Sequence, residues 1–178
     1  MSNFAFWACR KRTKAFCFLA LLVMSLTYPS GAEESFPFGR CGNVTVYASF
    51  PRPSRVVLFI SGDGGWNLGV IDMAKALATL DALVVGIDIN QFLRALEKTQ
   101  EECSYPAADL ENLSKFVQKK YNFPAYTPPL LVGYSSGATF VYAAMVQAPS
   151  NTFLGGISLG FCPDLTLVKP FCRGSGLE

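Results

Sequence analysis

A serine with glycines two residues away on either side is the strongest chemical signal in the sequence. Residues 133–137 read Gly-Tyr-Ser-Ser-Gly and match the pattern G-x-S-x-G, with Ser135 at its centre. The pattern follows the apolar run 130–132 and precedes a predicted helix that opens at Gly137. A nucleophilic serine in a strained turn needs this strand-to-helix context, and small neighbours avoid collisions there. We predict that Ser135 is a nucleophile; the alternative is an ordinary tight turn.

A second glycine-rich segment could stabilise the negative charge that such a nucleophile creates. Residues 61–66 read Ser-Gly-Asp-Gly-Gly-Trp and directly follow a predicted strand that contains Ile60. In hydrolases of this architecture the loop after that strand donates a backbone N–H to the oxyanion. We expect Asp63 or Gly64 to donate this N–H and Ser136 to donate the other. The alternatives are a turn in which Asp63 caps the next helix and a phosphate-binding loop, against which the missing G-K-[ST] ending argues.

The sequence offers no conventional general base for this serine. It contains no His, although His is the usual base at neutral pH. In hydrolases with the chain order Ser, acid, His, the acid follows the serine, and the acids after Ser135 are Asp164 and Glu178. Asp164 follows a predicted strand and is the candidate acid, with a surface or turn role as the alternative. Asp88 and Asp109 are interpreted as a loop residue and a first-turn helix acid.

Alternating strands and helices must position these residues. Apolar runs of strand length predict strands at 43–50, 55–61, 82–87, 129–133 and 153–159. Apolar residues at helical spacing predict helices at 68–80, 91–98, 106–121 and 137–147. This alternation is typical of α/β proteins, in which helices cover both faces of a mostly parallel sheet. Ligands bind where the carboxyl ends of such strands meet.

The amino terminus has the layout of a secretory signal peptide. A basic cluster at 10–14 precedes an apolar run at 15–26 and the small residues Ser30 and Ala32. The run is shorter than the roughly 20 residues that span a bilayer. We therefore predict cleavage after Ala32, and the alternative is an uncleaved membrane anchor. The expected organisation is a signal peptide at 1–32 and one domain at 33–178.

Charge and cysteine content are those of an exported protein that does not bind nucleic acid. Without residues 1–32 the chain keeps 11 Lys and Arg against 13 Asp and Glu, so its basicity belongs to the signal peptide. Four cysteines remain, and an even number in an exported protein favours two disulfides. Four cysteines allow three pairings, and we expect Cys162 with Cys172, because they are close in sequence, and Cys41 with Cys103. No metal or other cofactor is expected, because neither a C-x-x-C pair nor a His is present for zinc.

Several linked motifs resemble the bacterial VirJ/AcvB virulence-protein family. The motifs are SGDGGW, DLENLSKFVQKKY, LLVGYSSGATFVYAAMVQAP, ISLGFCPDL and PFCRGSGL, and the similarity extends from Val56 to Leu177. The resemblance implies a periplasmic α/β-hydrolase-like domain that is associated with virulence and type IV secretion. It also implies hydrolysis of aminoacylated phosphatidylglycerol, such as lysyl-phosphatidylglycerol, with Ser135 as the nucleophile and SGDGG as the oxyanion loop.

The same resemblance implies a hydrolase fold that is incomplete on its C-terminal side. In the family the acid and the histidine lie on strands beyond the Cys-Arg-Gly segment, so we interpret the chain as a truncated member with weak or no hydrolysis. The expected partners are a lipid or aminoacyl-lipid substrate, secretion-system proteins and a membrane surface. The alternative is a non-catalytic periplasmic accessory or binding protein. The strand at 153–159 would be a bare apolar edge, so we expect aggregation, partial unfolding or dependence on a partner.

Overall fold

The structure is a computed structural model that describes residues 32–174. These residues lie within one compact unit, Gly31–Glu178. A six-stranded sheet forms the centre of this unit. The strands are β1 (Ala32–Pro37), β2 (Asn43–Ala48), β3 (Arg55–Ile60), β4 (Ala82–Ile87), β5 (Leu130–Tyr134) and β6 (Gly155–Leu159). The helices are α1 (Leu68–Ala78), α2 (Ile89–Glu97), α3 (Pro106–Lys120) and α4 (Ser136–Gln147), with one 3-10 turn at Gly39–Cys41. No helix in this part of the chain is both long and apolar enough to cross a membrane. The predicted signal peptide, 1–32, lies outside the described residues except for Ala32 and stays a prediction.

The strand order is β1-β2-β4-β3-β5-β6. β1 pairs with β2 and β2 with β4 in antiparallel fashion, whereas β4, β3, β5 and β6 run parallel to one another. Parallel neighbours need a crossover, and α1, α2 with α3, and α4 supply the three crossovers. The prediction of an α/β fold with a mostly parallel sheet is confirmed.

The sequence patterns do not predict β1. Its residues are Ala-Glu-Glu-Ser-Phe-Pro, and Glu33, Glu34 and Ser35 are exposed. Such a polar segment becomes a strand because β2 offers it a complete antiparallel register, from Ala32 opposite Ala48 to Pro37 opposite Asn43. A proline is tolerated there because β1 is the outermost strand on that side.

The helices cover the two faces of the sheet unequally. α1 packs on one face against alternate strand residues such as Val57 and Phe59. α2, α3 and α4 pack on the other face against the intervening residues such as Leu58, as the two-residue period of a strand requires. Val132 belongs to the α1 face and pairs with Ile157 of β6, so Ile157 lies on that face too. There it is 41% exposed, because α1 does not extend over β6.

The disulfide differs from the predicted pairs. Cys103 and Cys172 are bonded, with their Cα atoms 4.9 Å apart. Cys162 is exposed and free, and Cys41 is buried and free. Burial raises the pKa of the Cys41 thiol, so it remains an unreactive thiol. The predictions of Cys162 with Cys172 and of Cys41 with Cys103 are therefore wrong.

The path of the C-terminal segment explains the observed pair. Phe171 forms a parallel bridge with Ser104, and the Cys172 N–H donates to the Ser104 carbonyl at 2.8 Å. This hydrogen bond places Cys172 beside Cys103, whereas Cys162 stays next to α4. The return of the chain depends on contacts with a segment 69 residues earlier, so spacing within the last segment could not reveal it.

Candidate active site

Ser135 occupies a strained turn between β5 and α4. Its backbone angles are φ 55° and ψ −123°, a combination that costs a side-chain-bearing residue of order 1–3 kcal/mol. Its N–H donates to the Leu159 carbonyl at 2.8 Å, at the carboxyl end of β6. Such conformations cluster at functional sites, where the surrounding structure holds them in place. The structure thus puts Ser135 in the turn that the sequence pattern predicts.

Two glycines of the pattern are required by close backbone contacts. A Cβ built on Gly133 would lie 2.1 Å from the Gly137 carbonyl oxygen, and a Cβ on Gly137 would lie 2.3 Å from the Ser61 carbonyl oxygen. Backbone atoms cannot yield as a flexible side chain can, so no larger residue fits at either position. The glycines therefore let α4 begin directly against the ends of β3 and β5.

The glycine-rich loop lies directly against the serine. A Cβ on Gly62 would come within 2.9 Å of the Ser135 Cβ and 3.5 Å of its Oγ. The loop and the serine line a common pocket of about 280 Å³. Its lining residues are Gly62, Asp63, Gly64, Gly65, Asn67, Gly69, Val70, Met73, Tyr134 and Ser135. The sequence-predicted nucleophile and oxyanion loop are thus brought together, although their chemical roles stay predictions.

Ser136 stands at the first position of α4, next to the pocket. The first N–H groups of a helix have no partner within the helix and favour a nearby negative charge. The Ser136 side chain is buried, and its hydroxyl has no hydrogen-bond partner among the described residues. The position suits the oxyanion donor that the sequence predicts, through the backbone N–H rather than the hydroxyl.

A family model described as bacterial virulence protein (VirJ) matches residues 54–153. The match covers more than half of the chain and includes both the glycine-rich loop and Ser135. The chain belongs to this family. No curated protein sequence matches it significantly, so the VirJ family model carries the assignment.

The described sheet also resembles solved α/β-hydrolase structures. A protein from Klebsiella pneumoniae that is assigned as a dienelactone hydrolase has 17% identity and a TM-score of 0.52, over 79% of this chain and 64% of that chain. Francisella virulence factor BioJ has 16% identity and a TM-score of 0.49, over 79% and 48%. TT1662 from Thermus thermophilus has 12% identity and a TM-score of 0.45, over 65% and 51%. The chain spans roughly half to two thirds of the length of these proteins, and the first likeness shows the fold.

The predicted acid is not brought to the serine of this VirJ-family chain. Asp164 is exposed, and its carboxylate contacts the thiol of Cys162 at 3.9 Å. Within residues 32–174 it makes no hydrogen bond or ion pair with Ser135. Asp109 lies in the first turn of α3, as predicted, and pairs with Arg40 at 2.9 Å. Burial raises the pKa of Asp109, although Arg40 opposes that shift; Glu178 lies outside the described residues.

Asp88 holds the end of the glycine-rich loop, a role that the sequence patterns do not predict. Asp88 caps α2, because its Oδ1 accepts the N–H groups of Asn90 and Gln91. Its Oδ2 accepts the N–H of Trp66 at 3.1 Å. The signal that could have indicated this contact is position: Asp88 and the loop follow β4 and β3, two neighbouring parallel strands whose carboxyl ends meet.

Trp66 closes the loop by packing onto the sheet. Its indole N–H donates to the hydroxyl of Tyr47 at 3.2 Å, and its ring packs edge-on against Phe59. A Cβ on Gly86 would lie only 1.9 Å from the ring, so the glycine in β4 makes room for the indole. Sequence and structure together make Trp66 an anchor of the loop rather than a substrate contact.

Proposed function

We propose that the chain carries the nucleophile and oxyanion loop of a periplasmic serine esterase. The substrate would be the aminoacyl ester of a membrane lipid, such as lysyl-phosphatidylglycerol. The single observation that carries this proposal is the strained conformation of Ser135, φ 55° and ψ −123°, beside the glycine-rich loop. Glycine would adopt this conformation with little strain, so the presence of a serine at a strained position beside the pocket favours a chemical role.

The proposed chemistry forms and breaks one ester bond at a time. The Ser135 Oγ attacks the ester carbonyl and gives its proton to a base, while the Ser136 N–H and a loop N–H bind the oxyanion. The lipid alcohol leaves with a proton, and the aminoacyl group remains on Ser135. Water then attacks this acyl-enzyme and releases the free amino acid and the serine hydroxyl.

The position of the pocket suits an ester at a membrane surface. It opens at the carboxyl edge of the sheet, where Asp63 and Gly64 are exposed, and Ser135 is half-buried. A large lipid therefore need only present its ester group and need not enter the core. The disulfide Cys103–Cys172 supports a location in an oxidising compartment such as the periplasm.

The 178 residues contain no His, the usual base at neutral pH. We therefore propose that hydrolysis by this chain is weak or absent and that addition of a His-bearing C-terminal segment, which gives the extended protein, allows hydrolysis. The substrate would be vesicles that contain lysyl-phosphatidylglycerol, and mass spectrometry would measure the lysine released. Ser135→Ala should abolish release by the extended protein.

A matched serine variant controls for that test. Ser158 lies on β6, and its hydroxyl donates to the Ala138 carbonyl at 3.0 Å, away from the pocket. Ser158→Ala should release lysine at the rate of the unsubstituted extended protein. Equal release by Ser135→Ala and its parent would contradict the esterase proposal. Rapid labelling of Ser135 by a fluorophosphonate in the 178-residue chain would instead contradict the expectation that this chain lacks a base.

A non-catalytic accessory protein for type IV secretion is the second candidate. The absence of His favours it, as does the exposed apolar surface of β6. The two candidate functions predict different results in a virulence assay of bacteria that carry Ser135→Ala in the extended protein. An intact phenotype supports the accessory role, and a lost phenotype with lost lipid turnover supports the esterase.

A further inference from the structure

The peptide between Gly62 and Asp63 is fixed through its carbonyl group. The Gly62 carbonyl accepts the Gly65 N–H at 2.9 Å and the Ser61 hydroxyl at 3.2 Å. Ser61 is fully buried, and its hydroxyl also accepts the Ile89 N–H at 3.1 Å. The C=O and N–H of a trans peptide point in opposite directions, and no described peptide is cis. The Asp63 N–H therefore points away from Ser61.

The next peptide is fixed from another element. Asn90, in the first turn of α2, donates its side-chain N–H to the Asp63 carbonyl at 2.9 Å. By the same geometry the Gly64 N–H points away from Asn90. Neither the Asp63 N–H nor the Gly64 N–H donates to an acceptor within the described residues. Both N–H groups belong to the loop that shares its pocket with Ser135.

Packing does not hold the peptide between Asp63 and Gly64 in place. A Cβ built on Gly64 would meet no atom within 4 Å, so side-chain packing does not restrain the backbone there. The Gly64 carbonyl, which belongs to the following peptide, accepts the side-chain N–H of Asn67. Glycine also populates most backbone conformations freely. The turn closed by the Gly65 N–H and the Gly62 carbonyl surrounds this peptide. Within the described residues, the hydrogen bond from Asn90 to the Asp63 carbonyl is the direct restraint on the peptide that carries the Gly64 N–H.

We infer that Asn90 is a positioning residue that directs the Gly64 N–H towards an oxyanion bound at Ser135. The inference rests on the proposed function, because it assumes that an oxyanion forms there. Asn90 does not touch the reacting atoms; it acts through the Asp63 carbonyl. Removal of one oxyanion donor lowers catalytic rates by about 10²–10³-fold in a well-studied serine protease, which sets the upper limit of the effect.

The first experiment measures the direction of the Gly64 N–H without any substrate. Residual dipolar couplings of ¹⁵N-labelled protein would be compared for the parent, Asn90→Ala and Gln91→Ala. Gln91 is the matched control, since it is the next residue of α2 and its side-chain amide also bonds to a distant backbone group, as the acceptor of the Asn43 N–H. We expect the coupling of the Gly64 N–H to change in Asn90→Ala and to stay at the parent value in Gln91→Ala. An unchanged coupling in Asn90→Ala would overturn the inference.

Asn90→Asp guards against loss of the fold. The carboxylate has nearly the size of the amide and suits the first turn of a helix, but it cannot donate to the Asp63 carbonyl. It should therefore fold and still change the Gly64 coupling. A folded Asn90→Asp variant with the parent coupling would count against the inference as much as the alanine result.

The second experiment measures oxyanion binding, with phenylboronic acid as the probe. The Ser135 Oγ forms a bond to boron and releases its proton to solvent, which leaves a tetrahedral boronate anion that needs the N–H donors. ¹¹B NMR titration should show at least tenfold weaker binding to Asn90→Ala than to the parent, and parent-like binding to Gln91→Ala. Absence of a Ser135-dependent adduct in the parent would contradict the proposed function, while the dipolar couplings still decide the role of Asn90. Equal boronate affinity of the parent and Asn90→Ala would overturn the positioning role.

Discussion

The two ends of the sheet are covered to very different extents. Every residue of β4 is buried, and helices cover both faces around β3 and β4. The last four residues of β6 are exposed, and Ile157 and Leu159 are 41% and 39% accessible. β3 and β4 are therefore stabilised by burial on both faces as well as by pairing with a strand on each side, whereas β6 depends on pairing with β5 and on contacts with α4.

The candidate site lies at the junction of these two regions. The glycine-rich loop follows β3, in the covered region, and Ser135 follows β5. The Ser135 N–H donates to the Leu159 carbonyl of β6, so the exposed strand helps to hold the serine in its strained turn. The geometry of the site therefore requires both regions. The stability of the less covered region, β6, limits how firmly the turn at Ser135 is held.

The largest expected effect is a cavity in the covered region. Leu58 of β3 is fully buried, so Leu58→Ala should lower the free energy of unfolding by about 2–5 kcal/mol. Ile157→Ala removes a side chain of similar size from β6, where water already reaches it, and should cost less than about 1 kcal/mol. Urea denaturation followed by circular dichroism would measure both. Equal losses would contradict the difference in coverage.

Removal of the disulfide should have the next largest effect. The bond Cys103–Cys172 closes a loop of 69 residues in sequence separation and ties the segment after β6 back to the start of α3. The double variant Cys103→Ser, Cys172→Ser should lose about 2–4 kcal/mol. Thermal unfolding with and without reductant would measure the loss in the parent. Cys162→Ser is the control, because Cys162 is free, and reductant sensitivity that required Cys162 would contradict the observed pairing.

Sequence patterns are sufficient to predict the bounds of elements whose residues are all buried. β4 was predicted with the bounds that the structure gives it, because Ala82–Ile87 is apolar throughout and buried on both faces. β1 escaped prediction because its residues are polar and its stability comes from the register with β2. The local sequence pattern of a segment does not show which distant segment it pairs with.

The residues of the candidate site also differ in whether a local sequence pattern predicts them. The pattern G-x-S-x-G predicts the turn at Ser135, because Gly133 lies against the Gly137 carbonyl within the same turn. Gly137 itself lies against the Ser61 carbonyl at the end of β3, a contact that the local pattern does not show. The role of Asn90 and the disulfide pairing were not predicted, since each depends on contacts between segments that only the folded chain brings together. The local sequence pattern therefore predicts the strained turn but not the residues that support it.

A charge on β6 should reduce self-association. An apolar edge strand without charges can pair with another chain, and an inward or edge lysine opposes such pairing. Ile157→Lys should increase the monomeric fraction in size-exclusion chromatography with light scattering and leave the unfolding midpoint nearly unchanged. Leu80→Lys is the control: Leu80 is 68% exposed, two residues after α1, and the added charge lies away from β6. A monomeric parent, or an equal gain from Leu80→Lys, would refute the role of the β6 edge.

The smallest expected effect tests the opposite edge, where β1 does carry charges. Glu34 of β1 pairs with Lys120 at 2.9 Å and accepts the Tyr121 hydroxyl at 2.7 Å. The hydrogen bonds from Lys120 and Tyr121 lower the pKa of Glu34 below its usual 4.5. A lowered pKa in the folded state means that the carboxylate stabilises the fold above the unfolded-state pKa. That contribution is lost as the pH falls through the lower, folded-state pKa.

Glu34→Gln should therefore unfold at a slightly lower temperature than the parent at pH 7, and the difference should vanish as the pH falls below 4.5. Scanning calorimetry from pH 7 to pH 3 would measure the difference. The ion pair between Glu34 and Lys120 is exposed. Adding 1 M NaCl should therefore also reduce the difference in unfolding temperature, because the Debye length is then only about 3 Å. A difference that persists at pH 3 would show that Glu34 acts through packing rather than charge. The two edges of the sheet would then be alike in lacking an electrostatic contribution, and the contrast between β1 and β6 would lie in pairing alone.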